Sequence, residues 1–322
     1  MKKKLFTWLA LALFASKLNA QDPQFSQFYA NPLYLNPAFA GTNVCGRLAT
    51  NFRDQWPQIQ GTYVTYSASY DQNINKFGGL GMLVSTDNAG KGVVVTNRVG
   101  LMYAFNQPFN HDLSFSFAVQ ADLEQKSLNG ANQLFGDRIN PKTGPSNIYG
   151  EIVPSTKVMY PDFSSGLIVY SKYFQAGFAA HHLLTPNQSF MNGESLLPRK
   201  FTAHAGMIIP LYNHGPKYLR QESYISPQII FQQQKDFREI NIGMYMKKGP
   251  LTGGLMYRTR DAIIVSVGIQ KSNFRFGYSY DVTFSNLGTA NVGSHEISMG
   301  YLFKCAKNKP NKIRVLPCVG FN

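Results

Sequence analysis

The chain is 322 residues long, 14% aromatic and only 15% charged, with a mean hydropathy of -0.20 and a formal net charge of +14. This excludes a disordered, highly charged chain. Beyond the amino terminus no apolar run approaches the ~20 residues a membrane-spanning helix needs, which excludes a helical membrane protein. The basic balance admits a polyanion, but the lysines and arginines are scattered through turns and strand ends with no basic helix, so nucleic acid is not an expected partner.

Lys2, Lys3 and Lys4 precede an apolar run over residues 5–15, and Leu18-Asn19-Ala20 ends in a small residue. That is the charged, apolar and small-residue order of a secretory leader, expected over residues 1–20 with cleavage after Ala20. No cysteine follows the cut, which argues against a lipoprotein. Without Lys2, Lys3, Lys4 and Lys17 the chain keeps 27 basic and 17 acidic residues, a net charge of +10. An anionic membrane surface or an acidic protein suits that charge.

From Gly46 onward a period of two dominates. Leu113, Phe115, Phe117, Val119, Ala121 and Leu123 alternate with Ser114, Ser116, Gln120 and Asp122. Ile240, Ile242, Met244 and Met246 alternate with Glu239, Asn241, Gly243 and Tyr245. Phe274, Phe276, Tyr278 and Tyr280 behave likewise, as do Ile297, Met299, Tyr301 and Phe303. One greasy and one polar face per strand is the pattern of a transmembrane β-barrel.

The turn signals predict fourteen strands, over 45–54, 63–70, 77–85, 92–105, 113–123, 162–170, 174–182, 201–210, 224–234, 238–247, 251–258, 262–271, 274–281 and 294–303. An even number closes an antiparallel barrel. With the mature amino terminus on the periplasmic side, the gaps after odd strands face outward and total 88 residues, against 34 after even strands. Long loops at one end and short turns at the other are what outer-membrane barrels have. The expected fold is therefore all-β: a single antiparallel transmembrane barrel over 45–303, a plug-like segment over 21–44 and a periplasmic tail over 304–322.

The proline-bearing stretch 124–161 reads as a surface loop. A fourteen-strand lumen must be filled or it conducts water, and the segment with Phe25, Tyr29, Asn31-Pro32 and Asn36-Pro37 is the candidate filler. It is either a rigid plug that senses a partner or a strap packed on the wall. In an oxidising compartment Cys305 and Cys318 could pair, leaving Cys45 over.

Arg258, Arg260, Asp261, Asp281, His295 and Glu296 all fall near the outward ends of the last four strands, with Arg258, Asp281 and Glu296 on the inward face. Opposite charges on neighbouring strands form a lattice. That lattice holds the closing strands together or, in the sharper reading, forms a docking rim for a secreted partner. His181 and His182 are adjacent on a strand and point to opposite faces, so they chelate no ion jointly; no metal site and no cofactor are expected. Ser294-His295-Glu296 alternates faces in the same way, and no Gly-x-Ser-x-Gly elbow occurs, so no enzyme is expected.

The stretch from Gln21 to Gly41, with its two Asn-Pro pairs, closely resembles the mature amino terminus of the PorP/SprF family, outer-membrane proteins of the type IX secretion system in Bacteroidetes. Further matches follow in order: Arg53-Asp54-Gln55-Trp56, then Ala180-His181-His182-Leu183 with Pro186-Asn187. Tyr257-Arg258 with Asp261-Ala262, Gly277-Tyr278-Ser279-Tyr280-Asp281 and Gly293-Ser294-His295-Glu296-Ile297 complete the series. The tail departs from the family, with Pro317-Cys318 in place of Cys-Pro. The resemblance implies a non-enzymatic accessory that helps export or anchor a large surface adhesin, of the gliding-motility kind, by binding its C-terminal domain. Translocon components and outer-membrane lipid are the other expected partners. The alternative is a passive channel for small or hydrophobic solutes.

Overall fold

In the computed structural model, described residues are 22–43, 45–58, 61–74, 78–110, 112–129, 139–140, 144–145, 156–190, 193–211, 223–284 and 293–304. The expected leader 1–20 and the tail beyond 304 lie outside them. Fourteen strands form the wall: β1 (Arg47–Gln55), β2 (Tyr63–Asn73), β3 (Gly79–Ala89), β4 (Val94–Pro108), β5 (Leu113–Leu128), β6 (Thr156–Ser171) and β7 (Phe174–His181). They continue as β8 (Lys200–Met207), β9 (Ser223–Gln234), β10 (Phe237–Lys248), β11 (Leu251–Arg258), β12 (Ala262–Lys271), β13 (Phe274–Thr283) and β14 (Ser294–Leu302). Every neighbour in the chain is an antiparallel neighbour in the sheet, and β14 pairs with β1, Arg47 opposite Leu302. The ring is closed, so no row of strand N–H and C=O groups is left as an edge in lipid.

The outward files are apolar: Leu101, Tyr103 and Phe105 on β4, and Ile263, Val265, Val267 and Ile269 on β12, are all exposed. They form the belt that meets acyl chains. β5 and β6 shorten the expected loop over 124–161 at both ends, to 129–155. They pair without a break from Leu113 with Ser171 to Leu128 with Thr156, and Ile139–Asn140 pairs with Gly144–Pro145 beyond them. Past Glu124 the strand continues as Gln125, Lys126, Ser127 and Leu128, all half-buried, and Lys126 Nζ donates to Gln188 Oε1 (2.7 Å). The apolar alternation ends there, although the ladder continues.

At one end of the barrel β6–β7, β10–β11 and β12–β13 join by two-residue turns, and at the other the connections 129–155 and 182–199 are long. Residues 22–43 lie inside the ring and cross it from end to end. Asp22 meets His182 and Gln234 at the long-loop end. The Gly41 N–H donates to Asp71 Oδ2 (3.0 Å) at the short-turn end. Arg47, where the wall begins, therefore stands at the short-turn end, and residue 22 at the long-loop end, so the inner segment runs the length of the barrel before β1 starts.

Between the mouths the inner segment packs closely on the wall. Phe28, Leu33, Leu35, Ala38 and Phe39 of the inner segment pack against Leu83, Met102, Ile168, Ile230, Met256 and Ile264 of the wall. The expected polar interior is joined in the middle by an apolar cluster that the inner segment completes, while polar groups such as Ser67, Ser116 and His204 meet the segment at the same height. Each buried Leu or Phe contributes roughly 1.5–3 kcal/mol.

Cys45, just before β1, is disulfide-bonded. It is therefore not the cysteine left over; Cys305 and Cys318 lie outside the described residues. The Phe303 N–H donates to Gly46 O (2.9 Å), so the chain leaves β14 beside Cys45.

An epitope inserted between Gln21 and Asp22 will be labelled by antibody on intact cells. Labelling only after permeabilisation would place that end on the other side.

Candidate functional site

The inner segment is shaped by its two Asn-Pro pairs. Pro32 opens a four-residue helix, Pro32–Leu35, and Pro37 a 3₁₀ turn, Pro37–Phe39. Proline suits these first positions, because its fixed φ is helical and its missing N–H has no partner to lose there. Asn36 links the two. Its Oδ1 accepts from the Ala38 N–H (2.9 Å), while Nδ2 donates to Leu167 O (3.3 Å) and Phe178 O (3.2 Å) and lies 3.1 Å from His204 Nε2. Asn31 Nδ2 donates to Ser67 Oγ (3.0 Å). Phe25 packs edge-on to Tyr34, and Tyr29 to Tyr245. Inward glycines make room: a Cβ on Gly166 would collide with the Asn36 amide, and one on Gly79 with the carbonyl of Ala40. Gly41 itself needs a positive φ, +65°, and packs on Gly79.

Two charged networks hold the upper part of the segment. The first surrounds Ser26. Its N–H donates to Glu296 Oε2 (2.5 Å) and its hydroxyl to Asp281 Oδ2 (2.6 Å), while Arg258 Nη2 donates to Ser26 Oγ (2.9 Å) and Arg53 Nη1 also contacts that oxygen. Arg53 pairs with Asp281 (2.8 Å) and Glu296 (3.4 Å). Arg258 pairs with Asp281 (3.0 Å), Asp261 (3.3 Å) and Glu239 (3.5 Å). Of the six residues expected to cluster, Arg258, Asp261, Asp281 and Glu296 converge. Arg260 is exposed on the turn after β11 with φ +63°. His295 faces outward, where Tyr278 Oη lies 2.8 Å from its Nδ1, so Ser294, His295 and Glu296 do not converge on one another.

The second network is a latch on Asp22. Its Oδ2 lies 2.8 Å from His182 Nε2 and 3.6 Å from Lys200 Nζ, and Gln234 Nε2 donates to Oδ1 (3.1 Å). His182 Nδ1 lies 2.6 Å from Asp162 Oδ2. Strand alternation would turn His181 and His182 to opposite faces, yet both are buried. His182 follows the end of β7 with φ +58°, and this left-handed turn brings its ring inward. Ligand-type atoms of Glu124, Asp162 and His182 fall within 4.8 Å of one another. Both ring nitrogens are engaged by Asp22 and Asp162, however, and Glu124 is 3.2 Å from Arg98, which also pairs with Asp122. His182 and Asp162 are thus engaged with the latch and Glu124 with Arg98 of the wall.

Sequence reasoning missed Ser26, Arg53 and Glu239 of the first network and Asp22, Asp162, Lys200 and Gln234 of the second. For Arg53 and Glu239, a charge at an inward position of an otherwise alternating strand was the available signal.

Burial opposes the His182 imidazolium, but the Asp22 charge and the Asp162 hydrogen bond outweigh it and raise its pKa from 6.5 to about 9. Burial also opposes the Asp22 carboxylate, which His182 and Lys200 nevertheless hold well below the usual range. A raised cationic pKa stabilises the docked segment fully below pH 6.5 and loses that contribution as pH rises through about 9. The depressed carboxyl contributes above its ordinary 3.8 and fails only at lower pH.

A sequence profile of the family described as type IX secretion system membrane protein PorP/SprF matches residues 17–301. The chain belongs to the PorP/SprF family. It is a membrane protein of the type IX secretion class, and its closed wall with an apolar belt places it in the outer membrane. No curated protein matches it in sequence. Among solved structures it is similar to the outer membrane protein Omp33 of Acinetobacter baumannii, at 6% identity and TM-score 0.47 over 82% of this chain and 100% of that one. The toluene transporter TodX of Pseudomonas putida gives 10% identity and TM-score 0.44 over 89% and 98%. A FadL homologue of Pseudomonas aeruginosa gives 12% and 0.41 over 80% and 90%.

Two outcomes test the site. Protease cleavage within 22–43 of the purified barrel will stay low at pH 7 and rise as the buffer passes pH 9, and a flat profile would remove His182 from the latch. Arg258→Ala leaves Asp281 and Glu239 buried with fewer partners and will cost about 3–5 kcal/mol, read as a lower temperature for the loss of heat-modifiable mobility on gels.

Proposed function

We propose that this barrel is a non-conducting, non-enzymatic accessory of type IX secretion that helps export or anchor a large cell-surface adhesin by binding its C-terminal domain, as in gliding motility of Bacteroidetes. The leader over residues 1–20 is removed after Ala20, and residues 21–44 act as the plug. Residues 304–322 form the periplasmic tail, where translocon components are within reach.

The observation that carries the reading is the filled lumen. A passage for solute or polypeptide needs an open path, and here Phe28, Leu33 and Phe39 pack against wall side chains across the interior. The working parts are then surfaces. At the long-loop end these include Arg260 and Asp261 on the turn after β11, directly above the Ser26 network. A partner's charged or aromatic side chains pressing there would meet a wall made rigid by that network, and a rigid surface loses little entropy on binding.

The tagged protein, extracted natively from outer membranes, will retain a giant repeat protein whose isolated C-terminal domain also binds. In planar bilayers it will show no porin-like current. Steady single-channel conductance with no retained partner would favour the alternative, a channel for small or hydrophobic solutes.

A further inference from the structure

The charges of β10–β14 are sorted by height. Between Phe237 and Lys304 the acids are Glu239, Asp261, Asp281 and Glu296, and all four belong to the Ser26 network or its surroundings at the long-loop end. The short-turn end of the same strands carries Lys247, Lys248, Lys271, Arg275 and Lys304 and no acid. Lys248, Lys271 and Lys304 are exposed, and none has an ion-pair partner among the described residues. The opposite mouth is mixed: exposed Lys235, Arg238 and Arg260 share it with Asp236 and Asp261.

Where the lysines point decides what they meet. Lys248 continues the outward file of Met244 and Met246, and Lys271 that of Val265, Val267 and Ile269, all of them on the apolar belt. In register, Lys248 stands opposite Leu251, and Lys271 opposite Phe274, the two most exposed apolar residues of this arc at 60% and 63%. Each lysine therefore lays its methylenes beside an apolar side chain at the lower edge of the belt, with its ammonium one step beyond. That is the snorkelling geometry of a lysine at a membrane interface. On this outward file the ammoniums point away from the barrel axis, along which a soluble partner would approach. Lys172 repeats the arrangement on the other side of the barrel, its Nζ 5.1 Å from the centroid of the Tyr173 ring.

We infer that the short-turn rim of β10–β13, through Lys248 and Lys271, is a binding site for anionic phosphoglycerides of the periplasmic leaflet. It recognises the phosphodiester and net negative headgroup, with the acyl chains lying on the apolar file above. This goes beyond the secretion role proposed above and depends only on the barrel's seating in the membrane.

Native mass spectrometry of the full barrel, released from mixed micelles with equal phosphatidylglycerol and phosphatidylethanolamine, reads the preference directly. Wild type will retain phosphatidylglycerol in excess. At about 1 kcal/mol per lysine near an anionic surface, the preference falls about fivefold for each lysine lost, so Lys248→Gln with Lys271→Gln will nearly abolish it. Lys248→Arg with Lys271→Arg will keep it, and so will Lys235→Gln at the opposite mouth. Heat-modifiable gel mobility confirms that each barrel is closed. If the glutamine pair fails to close, each single glutamine variant is read for its own fivefold loss. Equal preference in wild type and the glutamine forms overturns the inference and leaves the arc to an acidic protein. Displacement of the lipid by millimolar inorganic phosphate overturns it too, since a simple phosphate site would then explain the retention.

Discussion

A closed wall of fourteen strands solves one problem in a bilayer and creates another. Pairing β14 with β1 satisfies every strand, but the ring it closes is too wide for the wall's own side chains to fill. The rest of the molecule follows from how that space is occupied. Residues 22–43 supply apolar side chains for the middle, charged and hydroxyl partners for the long-loop mouth and backbone partners for Asp71 and Asn106 at the short-turn one. The interior is consequently built like a small soluble core turned inside a membrane protein.

This division explains why the buried charges stand where they do. Arg53 and Arg258 would be very costly alone in a dry interior. Around Ser26 they share Asp281, Glu296 and Glu239, and the hydroxyl fixes the geometry among them. The Asp22 latch repeats the arrangement with an imidazole, whose two nitrogens join the segment to β6. Neither network needs to be strong in net terms. Each makes one position of the segment much better than its neighbours, which is what buried polar groups do well.

The wall was legible because lipid on one side imposes a strict period of two. All fourteen strands stand where alternation put them, with ends moved by a few residues. What escaped was wherever that constraint lapses. The far end of the β5–β6 hairpin reads Gln-Lys-Ser-Leu and packs on the 182–199 connection, so it keeps its ladder without the apolar alternation. Leu83, Met102 and Ile168 are apolar and inward because they face another piece of chain, and nothing local in β3, β4 or β6 announces it. His182 lies one residue past the strand, where a left-handed φ replaces alternation. The bond at Cys45 depends on which strands form the seam, a long-range fact. Of the charged site, the inward placement of Arg258, Asp281 and Glu296 was readable from parity, but their common partner Ser26, more than two hundred residues away in the chain, was not.

The inner segment also constrains the order of assembly. It is made first, lies innermost, and is joined directly to β1, one side of the seam that β14 closes last in sequence. A finished cylinder would have to swallow its own leading end through a mouth already crowded by side chains, whereas an open, curling sheet can wrap around it. Sealing of the seam then becomes the committing step of biogenesis, and a chain lacking residues 22–43 would close around water.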